Sequence, residues 1–81
     1  VRVRVLFFGV TRDITGLQEE CAEVRAGARV EDLFELYARR FPRLEAMARS
    51  LRWGVNQDFS ERERVLQEND EVAFLPPVSG G

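Results

Sequence analysis

The sequence predicts an α+β fold in which a mixed sheet packs on one main helix, and three observations carry that expectation. Val1-Arg2-Val3-Arg4-Val5 alternates with the period of two of a half-buried strand. From Val30 the period changes: Val30, Leu33, Phe34, Tyr37 and Phe41 fall at helical spacing. Glu71-Val72-Ala73-Phe74-Leu75 then returns to alternation, and Pro76-Pro77 ends it, because proline donates no hydrogen bond to a sheet ladder.

The first strand continues through Leu6-Phe7-Phe8 and sets Val1, Val3, Val5 and Phe7 on one face. Gly9 to Gly16 holds Thr11, Asp13 and Thr15 between two glycines and reads as a connecting turn. Glu19 to Ala26 offers a second, weaker strand through Cys21 and Val24, which makes a hairpin with the first. In the helix from Val30, Glu31 and Asp32 suit the positive N-terminal end and Pro42 stops the run. Arg43 to Ser50 adds a short helical turn through Leu44 and Met47, and Leu51 to Asn56 reads as a strand containing Trp53 and Val55. Leu66 to Asp70 is polar and turn-like. The order strand, strand, helix, strand, strand in 81 residues suggests the β-grasp arrangement, with the first and last strands parallel at the sheet centre. On this reading residues 1–77 form the domain and residues 78–81 an extended, flexible Gly-Gly tail.

A chain this short buries only about 60–65% of its unfolded surface and has little room for a deep active site. That favours a binding or carrier role. Against 14 acidic residues stand 12 basic ones, for a formal charge of −2, which provides no field to hold nucleic acid or an anionic membrane. Cys21 is the single cysteine, so no disulfide closes within the chain and a reducing compartment fits. The apolar run from Val5 to Val10 is too short to span a bilayer and is bracketed by Arg4 and Arg12. A cytoplasmic location is expected. Without histidine, the chain lacks the usual zinc or iron ligands and an imidazole base for a nucleophile. No metal site is expected. Cys21 is expected to be a core or half-buried structural thiol, Tyr37 and Trp53 core aromatics, and Arg39, Arg40, Arg43, Arg49 and Arg52 solvated charge.

If Val3, Val5 and Phe7 face the helix, the pleat sends Leu6 and Phe8 outward, and the same logic sends Ala73 and Leu75 outward from the last strand. Leu6, Phe8, Ala73 and Leu75 would then form an open apolar patch, which implies a protein partner docked on the sheet face. Beyond Pro77, Val78-Ser79-Gly80-Gly81 can enter a partner's active site, because residues 76–81 extended reach roughly 20 Å. Gly80 and Gly81 lack a Cβ and can thread a channel too narrow for any side chain. The carboxylate of Gly81, ionised at neutral pH, could attack the α-phosphate of ATP held by an activating enzyme. A sulfur donor attacking the resulting acyl-adenylate would leave a thiocarboxylate.

These residues also resemble a known family: the chain looks like the MoaD group of ubiquitin-like sulfur carriers, the small subunits of molybdopterin synthase. The likeness covers nearly the full length. Val5-Leu6-Phe7-Phe8, Arg12, Val55-Asn56-Gln57 and above all Asp70 through Gly81 carry it. The resemblance implies a non-catalytic subunit that binds no cofactor of its own. Its Gly81 would be adenylated at the expense of ATP by an enzyme related to ubiquitin activators and receive sulfur from a donor protein. Val78, Ser79 and Gly80 would carry it into the large synthase subunit, which converts a cyclic pyranopterin precursor of the molybdenum cofactor. Phe8 and Leu75 occupy positions used for docking, and the complex would be a heterotetramer. Leu75 replaces a family phenylalanine and Ser79 a threonine, departures that bear on partner affinity. A sulfur carrier for thiamine or for tRNA thiolation, a ubiquitin-like protein modifier and a plain interaction module remain alternatives.

Overall fold

The alternation at the start becomes strand β1 (Arg2–Phe7), in which Val3, Val5 and Phe7 are buried while Arg2 and Arg4 are exposed. A computed structural model describes residues 1–77 of the chain. Strand β2 (Glu19–Glu23) runs antiparallel to β1, and β3 (Arg52–Val55) pairs with β4 (Asp58–Ser60). The last strand, β5 (Glu71–Leu75), lies parallel to β1, with Val5 opposite Val72 and Phe7 opposite Phe74. The sheet order is β2-β1-β5-β3-β4. The first and last strands are therefore the parallel central pair, as the sequence predicts, and their buried residues stack in phase.

Three helices, α1 (Val10–Thr15), α2 (Val30–Arg40) and α3 (Pro42–Glu45), complete the described elements. Helix α2 buries Val30, Leu33, Phe34, Tyr37 and Ala38. Its start is held by the Arg29 N–H donating to the Asp32 carboxylate at 2.8 Å, which satisfies a backbone donor that the helix itself leaves unpaired. Pro42 ends α2 and opens α3, where a missing N–H costs nothing, and α3 buries Leu44. At the centre sits Phe74, fully buried, with the rings of Phe7, Phe34, Tyr37 and Trp53 edge-on at 5.7, 5.6, 5.9 and 5.5 Å. Edge-to-face pairs of this kind add about 0.5–1.5 kcal/mol each beyond area burial.

The structure departs from the sequence expectation at three short segments. Gly9 to Gly16, expected as a turn, contains α1, entered through Gly9 at φ 54° and left through Gly16 at φ 72°. Six residues are too few to display a helical period; tertiary burial of Thr11 and Thr15 holds this helix instead. Strand β2 stops at Glu23 rather than Ala26, and the chain turns at Gly27, φ 87°. Strand β4 is a fifth strand where four were expected. It follows a two-residue turn whose residues Asn56 and Gln57 both adopt positive φ, 53° and 71°. The usual signature of such a turn is Asn-Gly. Here the Asn56 side chain fixes it, donating to the Asp70 carboxylate at 2.9 Å and accepting the Glu71 N–H at 3.0 Å.

Candidate functional site

The sheet face turned away from α2 divides into two halves. In one, Leu6 stands opposite Ala73, Ala73 opposite Gly54 and Gly54 opposite Phe59, so a single apolar row crosses β1, β5, β3 and β4. Leu75 follows one step along β5, and Phe8 follows β1. Together they line a shallow concavity of about 240 Å³. Phe8 is 46% exposed and Phe59 79%, although solvent contact of this extent is unfavourable for so much aromatic surface. Gly54 forms the floor: a Cβ there would lie 3.5 Å from Leu75 Cδ1 and 3.6 Å from Ala73 Cβ, ordinary contacts that would make the hollow shallower.

The other half is charged and internally neutralised. Arg4 pairs with Glu71 and, at 3.7 Å, with Glu19, while Arg2 pairs with Glu23 at 3.3 Å. The hydrogen bond that Arg4 donates to Glu71, and after it the charge of Glu19, raises the Arg4 pKa further above its already high value. The apolar half therefore ends toward the C-terminus of β5, where the chain leaves the sheet through Pro76 and Pro77. Val78, Ser79, Gly80 and Gly81 lie outside the described residues.

The structure thus brings Leu6, Phe8, Ala73 and Leu75 onto one face. It adds Phe59 and Gly54, which sequence reasoning missed. Both depend on β4: once Asn56-Gln57 is recognised as a hairpin turn, the register sets Phe59 across from Gly54. Cys21 corrects another expectation. It is exposed, because its pleat phase is that of Glu19 and Glu23, while its neighbours Glu20 and Ala22 turn to the helix side.

On the helix side, Glu20 accepts hydrogen bonds from the Tyr37 hydroxyl and from Arg40, each at 2.7 Å. The Arg40 hydrogen bond, and then that of Tyr37, holds the Glu20 carboxyl below its ordinary pKa. Burial, reinforced by Glu20, pushes the Tyr37 phenol up. Tyr37 is a core aromatic as expected, whereas Trp53 is half-buried. Arg39, Arg40, Arg43, Arg49 and Arg52 are exposed. No helix among the described residues is long and apolar enough to cross a membrane.

The ThiS family model matches residues 5–81. The chain belongs to this family of sulfur carriers. As a ThiS-family chain it is 35% identical over 82 residues to the molybdopterin synthase sulfur carrier subunit of Mycobacterium tuberculosis, with 100% of this chain and 99% of the relative covered. The subunit of the same name from Chlamydomonas reinhardtii is 31% identical over 83 residues, with 100% of both covered. SAMP1 from Haloferax volcanii superposes on this family member with a TM-score of 0.85 at 21% identity, covering 100% of both chains. The shared fold is the ubiquitin-like β-grasp.

Proposed function

We propose that this chain is the sulfur-carrier subunit of a molybdopterin synthase, with Gly81 as the residue that bears sulfur. The observation that carries this reading is the apolar row Leu6, Ala73, Gly54 and Phe59, flanked by Phe8 and Leu75, on the end of the sheet from which β5 runs toward residues 78–81. An uncovered apolar face beside the exit of the tail suits a partner that grips the domain while the tail enters its active site. Relatives matched over their whole length bear the name of that synthase's sulfur carrier subunit, which favours this pathway.

The chemistry belongs to the end of residues 78–81, while residues 1–77 form the domain that is recognised. The Gly81 carboxylate attacks the α-phosphate of ATP on a ubiquitin-activating type enzyme and pyrophosphate leaves. Sulfur delivered by a donor protein at the sulfide level displaces AMP and leaves a thiocarboxylate. Val78, Ser79 and Gly80 then conduct it into the large subunit, where sulfur passes to the cyclic pyranopterin. The carrier holds no cofactor and supplies no catalytic side chain; it works in the cytoplasm.

The test is the intact mass of the chain after incubation with a cognate adenylating enzyme, ATP and a sulfur source. A gain equal to replacing one oxygen by sulfur is expected, absent from a copy lacking Gly81. No gain, with the enzyme active on another carrier, would remove the proposal.

A further inference from the structure

The β1–β5 pairing reaches Phe7 opposite Phe74, and the same register continued sets Phe8 beside Leu75 and Gly9 beside Pro76. There β1 ends and Gly9 turns the chain into α1 at φ 54° and ψ −129°, a conformation natural only to glycine. Its bare α-carbon is covered by the Pro76 ring: a Cβ on Gly9 would stand 3.1 Å from Pro76 Cγ, inside the ordinary carbon–carbon contact distance of about 3.5–4.0 Å. Thr11, fully buried, ties the same junction. Its hydroxyl donates to Phe8 O at 2.7 Å, lies 3.4 Å from Phe74 O, and accepts the Phe8 N–H at 3.0 Å. The ends of the two central strands are thus joined through one side chain, two residues before Pro76.

We propose that Gly9, backed by Thr11, is a positioning residue that aims the C-terminal tail by seating Pro76 against bare backbone. The inference rests on the carrier reading above and concerns the direction of the tail, not its chemistry. Proline restricts rotation about its own φ, so a displacement of Pro76 is passed outward rather than absorbed. Pro77 restricts its own φ in the same way, so the direction set at Pro76 holds to the end of the described chain. Gly9 is not among the residues that line the apolar concavity. A change there should alter delivery of the sulfur and leave docking alone.

The experiment compares the wild-type chain with Gly9→Ala, Pro76→Ala and the double variant, each as the purified thiocarboxylate. It measures single-turnover sulfur transfer at saturating large subunit, the Kd for that subunit, and Tm. Gly9→Ala is expected to slow transfer by about ten- to a hundredfold, the scale of a misplacement near 1 Å, with Kd unchanged. Pro76→Ala added to it should recover part of the lost rate, because the crowding atom is gone while the strain of an alanine at φ 54° remains. Thr11→Val, which keeps the shape but removes the tie, should slow transfer in the same sense, and it carries the test should Gly9→Ala not fold. The proposal is overturned by a normal transfer rate in Gly9→Ala, by a loss of affinity matching the loss of rate, or by a double variant as slow as Gly9→Ala itself. That last result would mean the backbone strain at position 9 acts alone. A wild-type chain that transfers no sulfur would instead remove the carrier reading, an outcome distinct from normal transfer by both wild type and variant.

Discussion

Phe8 and Phe59 present aromatic rings to solvent beside Leu6, Ala73 and Leu75, so on the function proposed above each would be buried when a partner docks. Phe8→Asp and Phe59→Asp would each place a carboxylate in an apolar interface without a countercharge. Each is expected to weaken binding of the large synthase subunit at least about tenfold, or 1.4 kcal/mol, by calorimetry, with Tm nearly unchanged. A melted Phe8 variant would assign that ring to the core. Glu20 is a residue of the opposite kind, tied inward to Tyr37 and Arg40. A carboxyl whose pKa is lower folded than unfolded adds stability that is fully present above its ordinary value of 4.5 and is lost as pH falls through the folded value. Glu20→Gln should therefore lower stability at neutral pH and flatten the acid limb. Denaturant unfolding at about pH 7 and pH 3 checks this: the gap between wild type and variant should shrink at the lower pH. Phe8 was legible from the pleat alone. Cys21 was misplaced because its weakly patterned strand does not reveal which of its two faces is covered.

Among the elements, β1, α2 and β5 were legible because each carries enough alternation or helical repeat to fix its own phase. Helix α1 and strand β4 were not. Each is short, with six and three residues, and each is held by contacts distant in sequence. The turn between β3 and β4 makes the point: Asn56 tolerates its left-handed backbone and also bonds to Asp70 and Glu71, fourteen and fifteen residues away. Asp70 is 6% exposed, and its carboxylate also accepts the Gln67 N–H at 2.7 Å. Asn56→Ala removes one of these donors and strains the turn, and is expected to cost about 2 kcal/mol in urea unfolding. Gln57→Gly should be neutral or stabilising by up to about 1 kcal/mol, since glycine meets the positive φ without strain. A Gln57→Gly variant as damaged as Asn56→Ala would mean that the Gln57 side chain, not its backbone, matters.

For the whole molecule, the proposed function assigns recognition and chemistry to separate parts, an apolar sheet face and a terminus. One residue appended after Gly81 should block adenylation, read as the absence of any mass gain. Its Kd for the large subunit should stay within about a few-fold of wild type, because the apolar row is untouched. Continued activation of the extended chain would disprove the free-carboxylate mechanism. All 12 basic residues are arginine, so a copy activated at Gly81 finds no lysine on another copy and only the Val1 amine as an acceptor, and intact-mass spectra should show no chains linked through side chains. The fold class, the central parallel pair, the four outward residues Leu6, Phe8, Ala73 and Leu75, and the glycine terminus were all determined by the sequence itself. These follow from local alternation, from the order of the elements, from proline and from the absence of a Cβ, all of which can be read along the chain. Only the tertiary structure decided that Phe59 joins the apolar row, that Gly54 forms its floor and that Gly9 seats Pro76. Those contacts join segments far apart in the chain, and hydrogen-bond register, not local periodicity, brings them together.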